Sequence, residues 1–109
     1  MDNITFDYFK KMDLRVAQIK ECEEIPGADR LYKLTVDAGE VRQIVAGIKP
    51  YYTKEELLGK RIILVANLEP RTLRGIASHG MLLAASSADG STVVLISPDR
   101  EIANGATVS

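Results

Sequence analysis

Apolar and polar positions alternate along much of this chain, and the places where the alternation slips or stops mark out its elements. Residues 31–37, LYKLTVD, are the cleanest case, with Tyr32, Leu34 and Val36 on one face and Lys33 and Thr35 on the other. Upstream, residues 14–25 carry apolar side chains at Leu14, Val16, Ala17, Ile19 and Ile25. The period of two holds and then slips by one place, which predicts a long first strand with a bend or bulge. Pro26, Gly27 and Asp29 predict the turn into strand two, and Ala38-Gly39-Glu40 the turn out of it. Val41 to Ile48 reads as strand three, with Gly47 near its end predicting a backbone turn or a close approach.

Two short helices interrupt this pattern. Thr5 ahead of FDYFKKM is a plausible N-cap, with Asp7 in the first turn and Lys10 and Lys11 near the end. Ile4, Phe6, Phe9 and Met12 give that helix a large apolar side, fit either to roof the core or to meet a second copy of the chain. Thr53 and Glu56 have the spacing of a capping box, and Gly59 is the expected stop. That second helix falls between strands three and four. Lys60 to Ala66 reads as strand four and Gly80 to Ser86 as strand five. Ser91 to Ile96 pairs back across an Ala88-Asp89-Gly90 turn, and Thr107 and Val108 form a last short strand. Pattern alone predicts an all-β domain over residues 1–109, a five-stranded Greek-key barrel of the OB type, with a small β-sandwich as the alternative.

Composition changes this picture little. At 109 residues and 46% hydrophobic, the chain can bury a core without staples. The lone Cys22 forms no intrachain disulfide, and Glu21 and Glu23 beside it deny it the cationic surroundings of a reactive thiol, so a passive thiol in a reducing cytoplasm is expected. No apolar run approaches the roughly 20 residues of a membrane span, and MDNITFDYF lacks the basic start of a signal peptide, so no membrane partner is expected.

Charge is more informative when resolved along the chain. The formal net charge of -1 argues against a nucleic-acid partner. Yet Lys60 to Met81 holds four basic residues and one acidic, a surplus of three, so the rest of the chain carries four net negative charges. Phosphate attraction can therefore be local, although a charge run is often only a solvated face.

The candidate chemistry follows that imbalance. Catalysis would have to start from His79, the sole histidine, yet no serine lies in a nucleophile-elbow pattern, and Ser78 and His79 as extended neighbours point to opposite faces. One His and one Cys exclude a zinc site of the usual makeup, and both GxxxxGK[ST] and GxGxxG are absent, so no catalytic residue, metal or cofactor is expected. Binding has more material. Arg71 and Arg74 offer guanidinium forks to phosphate, and Lys33 and Arg42 lie on strands two and three, where OB barrels present nucleic acid. Asn67, Ser78 and His79 add hydrogen-bonding groups, and Met81 a soft surface for a base. Each has a plainer reading: Met81 as core, Asn67 as the brace of its own turn, Arg71 as the partner of Glu69. No aromatic residue falls in this segment, so shape recognition fits better than generic single-strand binding.

Taken together, DLRVAQI (13–19), ADRLYKLTVDAG (28–39), IVAGIKPYYTKEELLGK (44–60), VANLEPRTLRGIASHGMLLAAS (65–86) and SPDREIANGA (97–106) resemble the tRNA-binding domain family. That family supplies the C-terminal appendix of many methionyl-tRNA synthetases and also occurs as small free-standing proteins. The resemblance implies an OB-fold homodimer that binds tRNA by shape, with Lys33, Ser78 and Met81 at the family's binding positions and Asn67, Arg71 and Arg74 at the motif's other polar positions. His79 stands where relatives often carry Gln. A secretion-chaperone branch of the family makes a chaperone-like protein-interaction module the alternative, although the SxGM pattern here is not that branch's.

Overall fold

The computed structural model describes all 109 residues. Two short helices, α1 (Phe6–Phe9) and α2 (Lys54–Leu57), punctuate ten strands. These are β1 (Leu14–Glu24), β2 (Tyr32–Asp37), β3 (Val41–Ala46), β4 (Arg61–Val65), β5 (Arg71–Leu73), β6 (Ile76–Ser78), β7 (Met81–Leu82), β8 (Ala84–Ser86), β9 (Val93–Leu95) and β10 (Thr107–Val108). The main sheet runs β3-β2-β1-β4-β7, with β10 also on β1.

β1 organises this sheet because its 11 residues are long enough to serve several partners. Leu14 to Gln18 pair with β4, Leu14 and Arg15 also with β10, and Gln18 to Glu24 with β2. Its register shifts by one between Ile19, which faces Val36, and Glu21, which faces Thr35. A bulge is thus present, and its added bend helps curl the sheet around one inner face. The slip in the alternation comes earlier, at Val16 and Ala17, which are both buried because β1 covers an apolar cluster on each of its faces. Ile19, Leu34, Val36, Ile44, Ile62 and Leu64 fill the resulting half-barrel and are fully buried. Cys22 lies in the same cluster, where burial pushes its thiol pKa up.

Local capping sets where α2 enters. Thr53 N–H donates to Glu56 Oε1 at 2.9 Å and Glu56 N–H to Thr53 Oγ1 at 3.2 Å, the reciprocal box. Leu57, one residue on, is thereby driven fully into the core, a burial worth about 1.5–3 kcal/mol.

β1 and β4 bury their opposite face too. Leu14, Val16, Ile63 and Val65 form a second cluster, covered by Phe9, Leu83, Ala106 and Val108. The helix α1 therefore does not roof the main core. Only Phe9 is half-buried, while Ile4, Tyr8 and Met12 stay exposed along a groove beside Val65 and Leu68, and Phe6 is exposed outside it. The C-terminal segment closes this end: Gly105 N–H donates to Val16 O at 2.7 Å, and a Cβ at Gly105 would fall 2.9 Å from Gly39 Cα, so the backbone itself packs there.

Two expectations change. The segment after β4, read as a loop, contains the β5–β6 hairpin. Strand five breaks at Leu83, because Met81 and Leu82 pair with β4 whereas Ala84 to Ser86 pair with β9. Gly47 serves the expected backbone turn, bending the chain directly after β3, and makes no close approach, since a Cβ there would find nothing nearer than 3.9 Å.

Candidate nucleic-acid interface

The hairpin owes its shape to two central residues with positive φ, Arg74 at 52° and Gly75 at 78°. Together with the Leu73 to Ile76 pairing, this is the backbone of a two-residue type I′ turn. Gly75 adopts it freely. Arg74 does not, and an arginine held there carries local strain at the exposed tip of the hairpin.

Three bonds seat the hairpin on the outer edge of β3. Val45 N–H donates to Ser78 Oγ at 3.0 Å, His79 N–H to Gln43 O at 2.9 Å, and Gln43 Nε2 to Ala77 O at 2.9 Å. Leu73 and Ile76 add apolar contacts to Ile25, Ala28 and Val45. Gly80 then lets the chain cross β4, because a Cβ at its φ of 130° would meet Leu64 Cδ1 and Val65 O at 3.0 Å.

These contacts sort the eight candidate residues. Arg71 and Arg74 are exposed and make no ion pair or side-chain hydrogen bond within the chain; in particular, Arg71 does not pair with Glu69. The exposed His79 imidazole makes no internal hydrogen bond, and Met81 is 47% exposed rather than core. Lys33 is half-committed, its Nζ lying 3.3 Å from Glu23 Oε2 directly across the β1–β2 pair.

The other three brace the fold. Arg42 donates through Nη1 to Ala66 O at 2.6 Å and His79 O at 3.3 Å, and through Nε and Nη2 to Glu40. Its guanidinium is a clamp, not a free fork. Asn67 accepts from Asp13 N–H at 2.9 Å and donates to Lys11 O at 2.6 Å, tying the segment after α1 to the end of β4 rather than bracing its own turn. Ser78 is the one buried polar residue, and its hydroxyl donates to Gly80 O at 3.1 Å while accepting from Val45.

One further cation joins the surface. Arg30 lines a groove with Arg74, Gly27, Ala28, Asp29 and Leu31, and it too is exposed and unpaired. Sequence spacing hides this neighbour, because Arg30 and Arg74 meet only when Leu73 and Ile76 dock on the β1–β2 turn. Its place beside strand two was the available signal.

A hairpin braced on β3 with free guanidiniums at its foot and tip suits a polyanion, since those cations can meet phosphate without first breaking an internal ion pair. A sequence profile described as "Putative tRNA binding domain" matches residues 14–107. The chain belongs to the tRNA-binding domain family. It is 54% identical over 109 residues to a methionine–tRNA ligase of Thermococcus kodakarensis, covering 99% of this chain but 14% of that protein. What it matches there is thus one segment of a much longer ligase. A solved MetRS-related protein from Pyrococcus horikoshii superposes with a TM-score of 0.94 at 41% identity, over the full length of both chains. The chaperone CsaA from Bacillus anthracis gives 0.89 at 31% identity, covering 99% of this chain and all of the other. The fold is accordingly the OB-like one of this family, a strongly curled antiparallel half-barrel with two short helices.

Proposed function

We propose that this chain is a single tRNA-binding domain over residues 1–109 that performs no chemistry of its own, acting in the cytoplasm as an appended part of a methionyl-tRNA synthetase or as a free dimer. The observation that carries this reading is the set of unpaired guanidiniums at Arg30, Arg71 and Arg74 around one braced hairpin. Family membership and the ligase relatives support it. A surface with few phosphate contacts binds weakly and with strong salt dependence. A second copy, docked on the exposed apolar side of α1, would join two such surfaces and raise avidity wherever one RNA reaches both.

Filter binding with bulk tRNA across a salt series tests the reading. Binding should tighten as salt falls, and Arg71→Ala with Arg74→Ala should weaken it for all tRNAs alike and flatten the slope by about two. Binding indifferent to salt, or none at low salt, would refute it. Light scattering tests the dimer, which a monomer at high concentration would exclude.

A second reading, a chaperone-like protein-interaction module, is favoured by the exposed Ile4, Phe6 and Met12 and by the likeness to CsaA. Such a protein would suppress aggregation of an unfolded client and ignore competing tRNA.

A further inference from the structure

Beneath the hairpin's foot lies a hollow of about 80 Å³, the most closed in the molecule. Val45 and Ser78, both buried, form its floor, and the exposed Leu68 and Met81 its lips. Ser78 Oγ is already committed to Val45 and Gly80, so the floor offers a ligand no free polar side-chain group. Arg71 and Glu69 also line the hollow, and no ion pair joins them.

Size restricts the occupant. Sites for free small molecules enclose roughly 300–1,000 Å³, so this hollow is too small to hold a diffusing ligand by itself. It suits the leading part of a flat group on something already held elsewhere, and the unpaired Arg71 at the same site makes that something a polyanion.

We infer that the hollow receives one unpaired base of the bound RNA, guanine in preference to the others. This rests on the RNA-binding reading above and adds a local sequence preference to recognition by shape. Met81 supplies a polarizable thioether and Leu68 an apolar contact for the ring, while Arg71 takes the neighbouring phosphate. Glu69 sets the preference. An ionised carboxylate only accepts hydrogen bonds, and guanine alone presents two adjacent N–H donors, N1–H and N2–H, along its Watson–Crick edge.

RNA hairpins of equal length and phosphate count, bearing guanine, adenine or an abasic residue at one unpaired loop position, provide the test. Dissociation constants would be measured by fluorescence anisotropy on the full chain at fixed salt. The abasic hairpin should bind roughly fivefold or more weakly than the guanine one, with adenine between them. Met81→Ala should bring the guanine-to-abasic ratio close to one while leaving the salt slope unchanged. Glu69→Gln should tighten binding to every hairpin, because it removes an acid from a cationic surface, yet shrink the guanine-to-adenine ratio. A wild-type protein that binds the abasic and guanine hairpins equally, with normal salt dependence, overturns the base-binding inference and leaves the tRNA-binding reading standing. Failure to bind any hairpin or bulk tRNA at low salt overturns both.

Discussion

The Val45 amide donates to the Ser78 hydroxyl at 3.0 Å, and this bond fastens the β5–β6 hairpin to the edge of β3. Both residues are buried, so no water can readily replace either partner. Ser78→Ala would strand the Val45 N–H, at a cost of about 1–3 kcal/mol. Urea unfolding should show that loss, and hydrogen exchange at the Val45 amide should quicken. tRNA affinity should fall with it because the hairpin loosens. A variant of normal stability that still lost tRNA would instead show the hydroxyl touching RNA directly.

Arg74 holds a φ of 52° at the hairpin turn, a conformation that asparagine tolerates better than arginine. Arg74→Asn should therefore stabilise the protein by roughly 0.5–1 kcal/mol while weakening tRNA binding. Thermal melts and binding would move in opposite directions. If both fell together, Arg74 would be serving the fold.

Glu23 screens Lys33 at 3.3 Å, directly across the β1–β2 pair. Since exposed ion pairs contribute about 0–1 kcal/mol, Glu23→Gln should barely change the melting temperature. It should tighten tRNA binding severalfold at low salt by releasing the lysine. Unchanged affinity would place Lys33 outside the RNA surface.

Asp89 organises the turn between β8 and β9. Its carboxylate accepts from the Ser87 and Ser91 hydroxyls at 2.8 Å and the Ser91 amide at 3.0 Å, which, the backbone bond foremost, lower its pKa from 3.8 to about 2. A depressed carboxylate pKa stabilises above the ordinary value and loses that contribution as pH falls through the folded one. The turn should thus be intact at pH 4 and released near pH 2. The Ser91 amide chemical shift reports it, and Asp89→Asn should abolish the pH response.

The barrel was legible because its signals are local and periodic. The slip at Val16 and Ala17 marked a strand buried on both faces rather than the bulge after Ile19. The strand pattern itself was written in the alternation, and the α2 cap in the Thr53 to Glu56 spacing. The hairpin was not. Its strands are three residues each, and its turn puts arginine where asparagine or glycine is the usual marker. At the site, charge alone could suggest Arg71 and Arg74 but could not separate them from Arg42. That residue is spent on Ala66, His79 and Glu40, contacts that span up to 37 residues and exist only once the barrel closes. Arg30 was missed for the converse reason, being joined to Arg74 only by tertiary docking.

β10 lies against the start of β1, with Val108 opposite Leu14. Val108 thereby covers the outer cluster of Leu14, Val16, Ile63 and Val65, so the last strand holds closed the beginning of the first, and loosening β10 would bare that apolar face.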